Sequence, residues 1–185
     1  MENMAALPSD PTSDLAAAEA ARQRLTGSLR LPSWFHTSLA VAVAVQIATA
    51  AYGIAEQSGP PMLVLVAGVL VFLAVAGVQV ARFRRLNGVK VDGLVSRAVL
   101  GNSPRSSLVY GAGFGGAVWA GLEGPPWVAG LAAAAGGAGY AVSSWLWWRA
   151  YVQDPARHAR AESWATRAVY GAVAVAALCV LVAFR

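Results

Sequence analysis

Apolar residues in this chain come in long unbroken blocks, separated by shorter segments that hold nearly all the charge. Residues 37–55, 62–81, 127–148 and 168–184 contain no Asp, Glu, Lys or Arg. Each approaches the roughly 20 apolar residues that carry a helix across about 30 Å of hydrocarbon. The Val-Ala alternation in 41–45 has the period of a strand. A barrel strand, however, would be about 10 residues long with polar groups at alternate positions. Here both faces are apolar, so a helix is predicted. A fifth block, 108–122, is short and glycine-rich. Ser103 is a suitable N-cap and Pro104 a suitable first helical residue, which lengthens it to 104–122.

The pattern therefore predicts an all-α, multi-pass transmembrane helical bundle with its N-terminus inside. Its five spans lie at about 35–55, 62–81, 104–122, 127–148 and 167–184. Residues 1–30 form a polar cytoplasmic tail, and 31–185 a membrane domain with basic cytoplasmic loops at 82–106 and 149–167. Charge sets the orientation, because Lys and Arg concentrate on the cytoplasmic side. Arg22, Arg24 and Arg30 lie in the tail, and Arg82, Arg84, Arg85, Lys90, Arg97 and Arg105 in the first loop. Arg149, Arg157, Arg160 and Arg167 lie in the second. The short connections 56–61 and 122–126 have none. If 104–122 were re-entrant while 127–148 crossed, the second basic loop would move outside, so both are expected to cross. Trp34, Trp145, Trp147, Trp148 and Trp164 then fall at the inner boundary and Trp119 and Trp127 at the outer one, matching interfacial aromatic belts. A cleaved leader ending near Ala48-Thr49-Ala50 is disfavoured, because over 30 residues including four acids precede the first block.

Composition agrees. Hydrophobic residues make up 57% and charged ones 12%, about half the share usual in soluble domains. The net charge of +5 is explained by topology, and no nucleic-acid partner is expected. The Ala, Gly, Val and Arg bias with a single Lys points to a high-GC bacterial genome, and so to the inner membrane. Outside the spans, 12–26 followed by Gly27 reads as a short helix with acids early and arginines late. In the first loop, Asn87-Gly88 and Asp92-Gly93 are turn signals, and 94–100 suits either an interfacial helix or part of a hairpin. Asp154-Pro155 is a helix start. Gly59-Pro60-Pro61 and Gly124-Pro125-Pro126, each after a glutamate, hint at two parallel hairpin copies.

Lipid removes the hydrophobic drive between helices, so small residues mark where they meet. Gly111-x-x-x-Gly115, Ala112-x-x-x-Gly116, Ala133-x-x-x-Gly137 and Ala135-x-x-x-Gly139 predict a tight pair between the third and fourth spans. Polar side chains inside spans are few: Gln46, Thr49, Gln79, Ser143 and Ser144. Of these Gln46, Gln79, Ser143 and Ser144 are the candidates for a polar cavity, and Gln46 lies nearest mid-bilayer. No span has an ionisable residue in its central portion, which argues against a proton-coupled pump or voltage sensor.

Catalytic constellations are missing. His36 and His158 stand apart, without metal-ligand spacing, and Cys179 is the lone cysteine. Asp92-Gly93-Leu94-Val95-Ser96-Arg97 resembles the opening of the Asp-Gly-x-x-Ala-Arg motif of CDP-alcohol phosphotransferases. That family continues with a glycine and two further aspartates that bind metal and nucleotide. Here Ser106 replaces the glycine and no aspartate lies between Asp92 and Asp154, so the resemblance is set aside and no catalytic residue, metal or cofactor is assigned. The expectation is a non-catalytic accessory or assembly partner of a membrane system. Its partners would be the bilayer, another membrane protein or a second copy, with anionic headgroups at Arg82, Arg84, Arg85, Arg157 and Arg160. A transporter or channel subunit is the alternative. A lipid-modifying enzyme using Asp92, Asp154 or His158 at the cytoplasmic interface is the third reading.

Overall fold

The computed structural model describes residues 11–56, 59–88 and 104–154, all within one compact unit, Met1–Pro155. Among the described residues there are five α-helices and no strand: α1 (Pro11–Gly27), α2 (Phe35–Glu56), α3 (Gly59–Asn87), α4 (Pro104–Glu123) and α5 (Pro126–Gln153). The tail helix α1 has Asp14 in its first turn and Arg24 in its last, each opposite in sign to the helix-dipole end it adjoins. It makes only slight contact with α5.

The other four helices form an up-and-down bundle with α2 at its centre, packed against α3, α4 and α5. Contacts along α2 and α3 run in opposite order. Gly53 meets Leu65, Thr49 meets Gly68, Ser38 meets Gln79 and Arg30 meets Asn87. The α4–α5 hairpin is likewise antiparallel, with Gly116 against Ala132, Gly113 against Gly136 and Val109 against Gly139. Val43, Ile47, Ala51, Ala117, Val118, Ala133 and Tyr140 form the shared core.

Among the described residues, α2 and α3 alone combine enough length and hydropathy to cross a membrane. Glycine contributes little to transfer into hydrocarbon, and α4 and α5 are diluted by Gly, Ser, Tyr and Trp. Large apolar side chains face outward on two of these helices. On α3 the buried residues are Pro61, Gly68, Ala76, Gln79 and Phe83, while Leu63, Val66, Leu70, Val71, Leu73 and Val78 are exposed. On α5, Ala133, Gly136, Gly137, Ala141 and Ser144 are buried together with the larger Tyr140 and Tyr151, and Leu131, Val142, Trp145 and Leu146 are outside. Charge is polarised along the bundle. Arg30, Arg82, Arg84, Arg85, Arg105 and Arg149 belong to the end holding the start of α2, and Glu56 and Glu123 to the other.

Helix ends differ from expectation in two places. The predicted loop 82–106 begins later, because α3 continues through Arg82, Arg84 and Arg85 to Asn87. Nothing in that basic run breaks a helix, and long arginine stems let the charge leave the apolar zone without ending it. The helix stops at Gly88, whose φ of 62° and N–H to the Arg84 carbonyl (3.1 Å) make a left-handed cap. Likewise α5 runs past Trp148 to Gln153 and ends at Asp154, so the second predicted loop also starts later. Residues 89–103 and 155–185 lie outside the described residues, and with them the hairpin-or-helix alternative, Asp92, Arg157, His158, Arg160, Trp164 and the block 167–184.

The segment before α2 is tied down. Asn87 Nδ2 donates to the Arg30 carbonyl (2.9 Å), and the Arg30 N–H donates to Asn87 Oδ1 (2.8 Å). Trp34, at φ 65°, is the one non-glycine residue with positive φ among those described. That conformation costs a bulky residue about 1–2 kcal/mol, and here it leaves the indole 77% exposed.

Candidate functional site

Gln46 sits at the midpoint of α2, where its Oε1 accepts a hydrogen bond from the Tyr110 hydroxyl on α4 (3.0 Å). This pair borders a cleft of about 390 Å³ lined by Val43, Gln46, Val69, Phe72, Leu73, Ser107, Tyr110 and Tyr140. The cleft exists because α3 and α4 both pack on α2 but do not pack extensively on each other. Phe72 and Leu73 stand at the midpoint of α3, and Tyr140 at that of α5. The Tyr110 ring stacks on Phe114 with centroids 6.1 Å apart and meets Tyr140 edge-on at 6.5 Å. Three aromatic rings, three aliphatic side chains and a carboxamide thus line the cleft, which reaches Ser107 in the first turn of α4.

The other polar candidates lie elsewhere. Gln79 is 3% exposed, and its Nε2 donates to Ser38 Oγ (2.6 Å), which donates in turn to the Phe35 carbonyl (2.9 Å). Gln79 Oε1 and His36 Nδ1 are buried without a hydrogen-bond partner among the described residues. Ser144 is buried and Ser143 half-buried on α5, and neither lines the cleft. Thr49 turns its hydroxyl back onto the Val45 carbonyl (2.8 Å), which satisfies it within its own helix. Tyr110, Tyr140 and Ser107 were not singled out by sequence. The available signal was position, and for one residue: tyrosines favour span ends, and Tyr140 interrupts a Gly/Ala-rich block at its middle.

The small-residue faces are partly in a different register from the predicted one. Gly116, Gly137 and Gly139 do meet neighbouring helices, but a Cβ on Gly111 or Gly115 would meet nothing within 4 Å. The close approach falls instead at Gly113, whose added Cβ would lie 2.6 Å from the Gly136 Cα. A Cβ on Gly137 would strike Ala44 (2.8 Å) and the Ala40 carbonyl. Periodicity picks out a stripe of small residues, but several overlapping stripes fit one glycine-rich helix. Only the neighbours decide which faces inward.

At the arginine-bearing end, Arg82, Arg84 and Arg85 are exposed on the last turns of α3. Arg149 lies over the Trp145 ring at 4.7 Å, a cation–π contact. Phe83, Trp147, Trp148 and Tyr151 form a chain of ring contacts beside it. Among the described residues no three His, Cys, Asp or Glu side chains converge as a metal site. No family model, curated protein or solved structure matches this chain.

Proposed function

We propose that this chain is an integral, multi-pass protein of a bacterial inner membrane, with five spans and its N-terminus in the cytoplasm. It acts without catalysis of its own, as an accessory or assembly partner in a membrane system. The observation carrying the membrane reading is the outer face of α3, where Leu63, Val66, Leu70, Val71, Leu73 and Val78 stand exposed while Gly68, Ala76 and Gln79 turn inward. In water about 25 cal/mol per Å² of exposed apolar surface would oppose that arrangement, whereas lipid accepts it and small residues allow close packing. Charge polarity supports the orientation, since the arginine end suits the cytoplasmic face. The accessory role is supported by the exposed basic turns at Arg82, Arg84 and Arg85 and by the small-residue faces.

The alternative, a transporter or channel subunit, calls for a polar cavity lined by Gln46, Gln79, Ser143 or Ser144, and of these Gln46 borders the cleft. The test is labelling in intact cells with an impermeant thiol reagent. Cys179 is replaced by Ala, and single cysteines are placed at Ser58, Ser96, Leu122 and His158. The expected result is modification at Ser58 and Leu122 only. Modification at His158 would overturn the five-span topology, and release of the protein by alkaline carbonate would overturn membrane integration.

A further inference from the structure

We infer that the cleft between α3 and α4 binds a lipid-soluble carbonyl compound of the quinone class. The inference rests on the membrane reading and adds a ligand to it. A cleft of about 390 Å³ is within the size range of small-molecule sites, which are mostly apolar with a few placed polar groups. Its depth restricts the ligand. The 22 residues of α2 rise about 1.5 Å each, so Gln46 at their midpoint lies at the centre of a hydrocarbon layer about 30 Å thick. The ester carbonyls of a phospholipid sit at the edge of that layer, roughly 15 Å away. Only a molecule that carries its polar group into the hydrocarbon reaches Gln46.

The side chains specify the group. Tyr110 occupies Gln46 Oε1, and the carboxamide nitrogen keeps two N–H donors, which call for an acceptor such as a carbonyl. That bond also fixes the carboxamide's orientation before a ligand arrives. Phe72, Tyr110 and Tyr140 line the walls and favour a flat conjugated ring over a saturated chain. Val43, Val69 and Leu73 complete an apolar surround in which an unpaired carbonyl or amide is disfavoured, so hydrogen bonding there discriminates. Entry between α3 and α4 is lateral, from the lipid. Binding alone is inferred, with no electron transfer.

The test uses the full chain in phosphatidylcholine nanodiscs, with radiolabelled decylubiquinone as probe and empty discs as the partition blank. Wild type should retain saturable probe above the blank, and decylbenzene, which has the apolar body without carbonyls, should fail to displace it. Gln46→Leu should weaken retention about fivefold to tenfold, the scale of one lost hydrogen bond in apolar surroundings. Val69→Trp, at a partly buried position of the cleft wall, should abolish it, and Leu63→Ala on the outer face of α3 should leave it unchanged. Helical circular dichroism identifies any variant that fails to fold. Retention no greater than in empty discs, displacement by decylbenzene, or wild-type retention in folded Gln46→Leu would each overturn the inference. Alkali-resistant protein that retains no probe would sink the ligand alone, whereas alkali-released protein would sink the membrane reading beneath it.

Discussion

The helices α2 and α3 are the two most apolar of the bundle, yet they live in different surroundings. In their most apolar windows 39% of α2 is buried but only 11% of α3. The hub α2 touches three helices, whereas α3 packs mainly along α2. Hydropathy therefore measures how well a helix tolerates an apolar medium, not whether protein or lipid supplies that medium. What separates the two is side-chain size along the middle of the contact: Ile47, Val43 and Leu39 bury on α2, while α3 presents Gly68 and Ala76 inward and Leu63, Leu70 and Leu73 outward.

Truncation breaks the comparison most sharply. Ile47→Ala, at a fully buried site, should cost roughly 2–5 kcal/mol. Leu70→Ala on the outer face of α3 should cost under about 1 kcal/mol, since it leaves no enclosed cavity. Equilibrium unfolding in mixed micelles measures both. Next in size is Leu70→Arg, expected to oppose insertion by about 2.5–3.5 kcal/mol. Alkaline extraction and a glycosylation-tag insertion assay would show it, and an inserted fraction equal to wild type would remove α3 from the lipid.

Glycines sharpen the contrast at a smaller scale. Gly137→Ala should destabilise by about 1–3 kcal/mol through overpacking against Ala44 and the Ala40 carbonyl. Gly111→Ala, with open space at its Cβ, should be neutral or stabilise by up to about 1 kcal/mol through helix propensity. Thermal melting of both in one detergent distinguishes them. A local effect is expected for Asn87→Ala, about 1 kcal/mol, read as faster amide exchange at Arg30 while the core of α2 stays protected.

Much of the described helical layout was legible because proline and glycine punctuate it. The predicted 12–26 and 104–122 became Pro11–Gly27 and Pro104–Glu123, and the start of α2 fell at Phe35 as predicted. The end of α3 was misread because its arginines signal topology, and a topology signal does not stop a helix. Its true stop, Asn87-Gly88, was visible as a turn. The cleft was half legible. Gln46 stood out by depth alone, but its partner Tyr110 lies 64 residues on, and no local pattern links them. Likewise glycine spacing located α4 and α5 as neighbours without identifying Gly113 and Gly136 as their closest approach, because that choice depends on the rotation of each helix about its axis.

The clasp between Arg30 and Asn87 has a mechanical consequence. It joins the segment leading into α2 to the trailing end of α3, so the hairpin is closed at both ends, once by covalent chain and once by a pair of hydrogen bonds. Tension on the N-terminal tail therefore meets the chain of α2 and, through the clasp, the end of α3 at residue 30. The tail is a handle on the hairpin as a unit, and the clasp is the fuse that must yield before α2 can be drawn out alone.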